Sequence, residues 1–256
     1  YDAAGNARHY IPVSDPMHFG QDPTLPLDPY LVGCLIGDGG LKRRGGLTFT
    51  SADSSMIAEC RELLPTGTGF VYKQRYDFHI RRTSGESNVV ADALDELGLL
   101  GFGSAMKFVP TAYKTASISD RLSVLQGLLD TDGTVDYRNG VIEFVTTSDQ
   151  LSQDVAFLVR SLGGVARLRY KAAPKYRYKG ELRTGKPAYR IGMSLPPEYV
   201  PFRLERKRVL YKPPTKYFPT RAITKVEYVG EYEMVCIAVD APDRLFVFDE
   251  FIVTHN

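Results

Sequence analysis

An α+β fold built from two pseudo-twofold-related units is predicted by three features of this sequence: an internal repeat, a glycine-spaced apolar helix closed by Asp-Gly in each copy, and strand-like alternation behind each helix. "LVGCLIGDGG" (31–40) recurs as "LQGLLDTDGT" (125–134), and "TSADSSMIAECRELLPTG" (50–67) is answered by "TTSDQLSQDVAFLVRSLGG" (146–164). Each unit then reads as helix, strand pair, helix, strand pair. With 256 residues and 43% hydrophobic content, the chain is long enough to bury a sizeable core in one large domain or two smaller ones.

The first repeated helix opens at Asp28-Pro29, an N-cap followed by proline at the first helical position, and Ser119 or Asp120 is placed to cap its counterpart. Gly39 and Gly133 follow the last helical residues and are expected to end each helix in a left-handed conformation. Strands are expected in "FVYKQRYDFHIRR" (70–82), "VARLRYK" (165–171) and "PAYRIGMSL" (187–195), with a helix in "SNVVADALDELGLL" (87–100) closing the first unit. Beyond residue 218, strands are expected at "AITKVEYVG" (222–230), "YEMVCIAVD" (232–240) and "LFVF" (245–248).

Small residues spaced i, i+4 (Gly33 and Gly37, Gly127 and Thr131) let the two helices approach closely along one face. Packed as a pseudo-twofold pair, they bring Asp38 and Asp132 together. Stability does not explain that placement, because a carboxylate at a helix C-terminus opposes the macrodipole by about 0.3–1 kcal/mol. Two neighbouring carboxylates also raise one another's pKa. A divalent cation removes both penalties. Mg²⁺, or Mn²⁺ in its place, suits a site of one or two carboxylates completed by water and substrate phosphates.

The net charge of +2 hides a strong asymmetry. Residues 160–221 hold 17 Lys/Arg against Glu181, Glu198 and Glu205, whereas the rest of the chain has 15 Lys/Arg against 27 Asp/Glu. Tyrosines interleave the cations in "RLRYKAAPKYRYKG", a pairing suited to phosphate and base surfaces, so nucleic acid is the expected partner. Three cysteines without C-x-x-C spacing indicate neither a disulfide framework nor a zinc site. No apolar run approaches the roughly 18 residues of a membrane span, and "YDAAGNARHY" lacks a secretion-signal pattern, so an intracellular, cytoplasmic protein without membrane contact is expected.

"LVGCLIGDG" and "LQGLLDTDG" resemble the paired motifs of LAGLIDADG homing endonucleases, and the resemblance covers about residues 28–218. The first copy departs at Cys34, Ile36 and Gly37 but keeps the final Asp-Gly. The resemblance implies two αββαββα units whose four-stranded sheets form a saddle in the major groove of double-stranded DNA. It also implies metal binding by Asp38 and Asp132 above the scissile phosphates, with the adjoining Gly37 and Thr131 at the metal. Family members usually carry an essential lysine just before the second motif, and "MKFVP" supplies Lys107 there. Lys207 in "ERKRVL" is the counterpart chosen for the other half. A lysine in that place activates water or stabilises a phosphorane-like transition state.

The last residues, "EMVCIAVDAPDRLFVFDEFIVTHN", resemble the two C-terminal splicing blocks of an intein, a self-splicing insertion in a host protein. In that chemistry the Asn256 amide attacks its own main-chain carbonyl, while His255 polarises that carbonyl or protonates the leaving amine. Cys236 and Thr254 resemble the inteins that start splicing from an internal cysteine. Cys236 is therefore either the first nucleophile, or else a helper of asparagine cyclisation or a core side chain. A histidine usual near Arg244 is missing, and nothing before Asp28 supplies an N-terminal nucleophile or a Thr-x-x-His block. The expected layout is a linker or strand from the splicing domain (1–27), the endonuclease (28–218) and a C-terminal β fragment of a Hint-type splicing domain (219–256). The partners implied are target DNA, an N-terminal intein fragment and flanking host-protein segments. A cleavage-inactive DNA-binding module and a free-standing endonuclease or maturase are the alternatives.

Overall fold

A computed structural model describes residues 8–20, 23–43, 46–214 and 220–255. After strand β1 (Tyr10–Pro12), the first unit runs α1 (Pro29–Asp38), β2 (Gly39–Gly40), β3 (Thr48–Thr50), α2 (Ser54–Glu62), β4 (Thr68–Gln74), β5 (Asp77–Arg82) and α3 (Val89–Glu96). A 3-10 turn (Ser104–Met106) and the short α4 (Thr111–Lys114) lead into the second unit. That unit runs α5 (Ile118–Asp132), β6 (Gly133–Val135), β7 (Ile142–Thr146), α6 (Asp149–Ser161), β8 (Val165–Lys171), β9 (Lys175–Tyr178), β10 (Glu181–Thr184), β11 (Ala188–Ser194) and α7 (Glu205–Arg208). The chain continues through β12 (Thr220–Ala222), β13 (Phe246–Phe248) and β14 (Ile252–Thr254).

The two units carry equivalent four-stranded antiparallel sheets, ordered β2-β3-β5-β4 and β6-β7-β11-β8. This is the mixed α+β repeat that the sequence predicts. The apolar face of each sheet, Phe49 and Ile80 in one and Phe144 and Ile191 in the other, packs into a core with α1 and α5. On the opposite face of the second sheet, Arg190 pairs in register with Arg169, and Gly192 with Arg167. These arginines and Glu143 line a depression of about 610 Å³.

Helices α1 and α5 meet through their small residues. A Cβ on Gly127 would stand 2.3 Å from the Tyr30 carbonyl oxygen, one on Gly33 2.3 Å from the Val124 oxygen, and one on Gly37 2.0 Å from Thr131 Oγ1. Any side chain at these points would force the helices apart. Asp28 caps α1 as expected, accepting from the N–H groups of Tyr30 and Leu31.

Four expectations need correction. The cap of α5 is Ser117, which accepts from Asp120 N–H, so the helix starts before Ser119. Gly39 (φ −77°) and Gly133 (φ −79°) are extended rather than left-handed, because each helix runs straight into a strand. Glycine is needed there for space: a Cβ would lie 2.2 Å from the Leu35 oxygen or 2.5 Å from the Leu129 oxygen. The second unit also carries the extra hairpin β9–β10 between β8 and β11, turning at Lys179 (φ 50°) and Gly180 (φ 86°). Finally, the strands expected at 222–230 and 232–240 do not form. Pairing stops just past Ala222, which faces Tyr10, and Val226, Tyr228 and Val235 beyond it are exposed.

The chain's flanks associate with one another and with α6. Strand β1 pairs with β12, Val13 bridges to Ile252, and β13 pairs with β14. Phe251, at the β13–β14 turn, is buried against Phe157 of α6 with ring centroids 5.0 Å apart, and Phe19 completes the cluster. Arg160 pairs with Glu250 at 2.8 Å beside it.

Candidate active site

The close approach of α1 and α5 determines what stands at their C-terminal ends. Both helices run to their last turn with apolar side chains inside, so Asp38 and Asp132 emerge together where the sheets begin. Burial pushes the Asp38 carboxyl up to about 6, and the charge of Asp132 adds to the rise, against the opposing pull of Lys107 and Lys207. Asp132 is more open at the mouth of the site, yet the protein mass around it also raises its pKa, with the same two lysines opposing. The two carboxylates and two ammoniums therefore form one electrostatic group.

Each lysine satisfies carbonyls that a helix end leaves without partners. Lys107, only 7% exposed, donates through Nζ to the oxygens of Gly37 (2.8 Å) and Gly39 (3.0 Å) at the end of α1. Lys207, 6% exposed, donates to those of Leu129, Asp130 and Gly133, each at 2.7 Å, at the end of α5. Gly39 and Gly133 are equivalent points of the repeat, so the lysines are pseudo-twofold partners. Burial lowers the pKa of Lys107, opposed by Asp132 and Asp38. It pushes Lys207 down to about 8, with Arg206 adding to the fall and Asp130 opposing it most.

The carbonyl of Gly37 is thus engaged by Lys107, and that of Thr131 lies 3.4 Å from Lys207 Nζ. The Thr131 hydroxyl turns back onto the Gly127 and Leu128 oxygens. What faces the open mouth is the pair of carboxylates. Among the described residues no group of three or more His, Cys, Asp or Glu gathers at one point. Two hard oxygen donors of raised pKa fit a Mg²⁺ or Mn²⁺ ion that takes its remaining ligands from water and phosphate.

Sequence reasoning missed the residues that hold the lysines in place. Asp130, 1% exposed, accepts at Oδ2 from the Arg203 and Leu204 N–H groups (2.9 and 3.1 Å) and from the Tyr30 hydroxyl (3.0 Å). Its signal was present as a mismatch in the repeat, since the equivalent position in the first copy is Ile36. Ser148 and Asp154 of the α6 region touch the Lys107 segment, and nothing local in the sequence marks them.

The splicing residues lie elsewhere. Cys236 is exposed between β12 and β13, Thr254 ends β14 half-buried, and His255 follows it exposed. Thr254 Oγ1 is 3.5 Å from the His255 oxygen. Asn256 lies outside the described residues.

Residues 119–191, spanning α5 to β11, match the LAGLIDADG-like domain family. The second unit carries this LAGLIDADG-like domain. Across 240 residues it is 30% identical to the replicative DNA helicase DnaB of Mycobacterium intracellulare, covering 92% of this chain and 36% of that protein. It is 29% identical over 164 residues to the DnaB helicase of Rhodothermus marinus, covering 57% and 17% respectively. The chain thus spans about a third or less of the curated relatives it matches. Similar solved structures include the homing endonuclease I-DmoI in complex with DNA and Mn (TM-score 0.43, 15% identity, 72% of this chain and 92% of that one). Another is its complex with DNA and Ca (TM-score 0.40, 12% identity, 74% and 94%). The LAGLIDADG-like match falls on the second unit, whose motif departs least from the family pattern.

Proposed function

We propose that this chain is a metal-dependent endonuclease that cleaves both strands of a DNA target and is embedded in a self-splicing intein. One observation carries the reading: Asp38 and Asp132 project side by side from paired helix ends, each end held by a buried lysine. DNA would lie across the two sheets, with the Arg167, Arg169 and Arg190 face against its phosphates. A bound Mg²⁺ or Mn²⁺ would neutralise phosphate charge and favour hydroxide over water. Asp38 and Asp132 would hold the metal. Lys107 and Lys207, charged and desolvated, would stabilise the negative charge that grows on the phosphoryl oxygens. With its pKa near 8, Lys207 is also poised to hold or release a proton close to neutral pH.

The intein setting has its own support. Both curated relatives are named as replicative helicases, and this chain matches only a segment of each, as an insertion in a host helicase would. The pairing of β1 with β12 and the Val13–Ile252 bridge favour grouping residues 1–27 with 219–256 as splicing parts around a nuclease at 28–218. In that arrangement Cys236, Thr254, His255 and Asn256 would carry the splicing steps, an N-terminal intein piece would supply the strands that 223–240 lack, and the protein would be intracellular.

The test is cleavage of a duplex selected from a randomised library. Asp38→Asn and Asp132→Asn should each abolish cutting in Mg²⁺ while leaving affinity within a few-fold, because phosphate and base contacts come from the strands. Selected duplexes that bind but are never cut, with or without metal, would identify a binding module instead.

A further inference from the structure

The two lysines are held by separate devices. Lys107 sits in irregular chain after an exposed 3-10 turn, so its flexible four-carbon stem is only as well placed as the backbone beneath it. That backbone is fastened from α6 at two points. The Ser148 hydroxyl, fully buried, donates to the Lys107 carbonyl at 2.6 Å, and Asp154 Oδ2 accepts from the Val109 N–H at 2.8 Å. Asp154 is itself fixed by Lys114 (2.6 Å) and Gln150 (3.0 Å) on its other oxygen. Lys207 depends on a different set, with Asp130 of α5 accepting from the Arg203 and Leu204 N–H groups while the Tyr30 hydroxyl donates to the same carboxylate oxygen. The two sets have no residue in common.

We propose that Ser148 and Asp154 are positioning residues for Lys107 alone, so that each half of the site has its own independently adjustable hold. The consequence for the reaction rests on the endonuclease reading above. The lysines are related by the protein's pseudo-twofold, and the strands of a duplex are related by a local twofold, so each lysine serves one scissile phosphate. Loosening the Ser148–Asp154 hold slows one strand only. Loosening the Asp130 hold slows the other.

Two measurements test this in the whole chain. In the metal-free protein without DNA, reductive methylation followed by mass spectrometry reads the accessibility of each lysine. Ser148→Ala and Asp154→Asn should raise labelling of Lys107 several-fold and leave Lys207 unchanged, Asp130→Asn should do the reverse, and Ser148→Thr, which keeps the hydroxyl, should match the wild type. On a supercoiled plasmid carrying a selected site, Ser148→Ala should slow one strand by roughly 10- to 100-fold, the scale expected when a reacting group is displaced by about 1 Å. Nicked circles should then accumulate with every nick on the other strand, and Ser148→Thr should restore double-strand cutting. Ser148 also caps α6 by accepting from Leu151 N–H, so a loss of fold would slow both strands equally. Equal slowing of the strands, or unchanged Lys107 labelling, overturns the proposal. Absence of any cutting by the wild type would instead refute the endonuclease reading, with the labelling still deciding the positioning role.

Discussion

Replacing Asp38 with asparagine should make the metal-free protein more stable while destroying its activity. The magnitude follows from the site. A carboxyl whose pKa rises from 3.8 to about 6 resists ionisation by about 3 kcal/mol at neutral pH. Asp38 is only partly buried, and solvent screening reduces that to about 1–2 kcal/mol. The folded state keeps its proton up to about pH 6 while the unfolded chain gives it up near 3.8. This group's favourable contribution is therefore complete below pH 3.8 and is lost as the pH rises through 6. Urea melts of wild type and Asp38→Asn in EDTA, from pH 4 to 8, should coincide at the acid end. They should diverge as the pH rises from about 4 to 6 and stay apart above that, with the variant about 1–2 kcal/mol more stable at pH 7.5 and melting about 2–8 °C higher. Added Mg²⁺ should stabilise the wild type and not the variant. A variant that is equally or less stable at pH 7.5 without metal would show that Asp38 is not a strained charge.

Other consequences can be measured separately. Gly127→Ala should cost about 2 kcal/mol or more despite alanine's better helix propensity, because its Cβ meets the Tyr30 oxygen at 2.3 Å; a melting temperature that does not fall would deny the close helix contact. DNA affinity should drop by about 10³-fold or more between 50 and 200 mM salt if six or more phosphates are contacted, and a flat titration would turn the basic face of β8 and β11 away from DNA. With an N-terminal intein piece and host flanks supplied, Cys236→Ala should eliminate thiol-induced cleavage at the upstream junction; normal-rate cleavage would leave Cys236 a supporting role.

Much of the site was legible because it is written in local spacing. Glycines four residues apart state how close two helices come, and Asp-Gly at matching points of a repeat states what stands at their ends. Even Lys207, chosen by symmetry, donates to the carbonyl of Gly133 as Lys107 does to that of Gly39. What stayed hidden depends on the third dimension. Asp130 is one residue of an apolar helix until its carboxylate meets two N–H groups 73 and 74 positions away. Ser148 looks like an ordinary helix cap, which it also is, until its hydroxyl meets Lys107 across 41 positions. The glycines after each helix were chosen correctly for the wrong reason: the limiting factor is space beside the preceding turn, and the backbone there is extended. The strand-like runs at 222–240 have the right alternation, but alternation specifies a strand only where a ladder of backbone partners forms, as it does at Ala222 opposite Tyr10.

The charge arrangement also links the two binding events proposed for the site. Two carboxylates at helix C-termini work against the macrodipoles, and the buried ammoniums of Lys107 and Lys207 offset them, so the empty group is near neutral as a whole. Bringing scissile phosphates into it adds negative charge beside groups that already resist ionisation. A divalent cation relieves the carboxylates and the phosphates together, and thermodynamic reciprocity then requires DNA to tighten metal binding as much as metal tightens DNA binding. Neutralising a carboxylate removes part of what the cation relieves. The metal dependence of DNA affinity should therefore be weaker in Asp38→Asn than in the wild type, although its affinity in EDTA is equal or better.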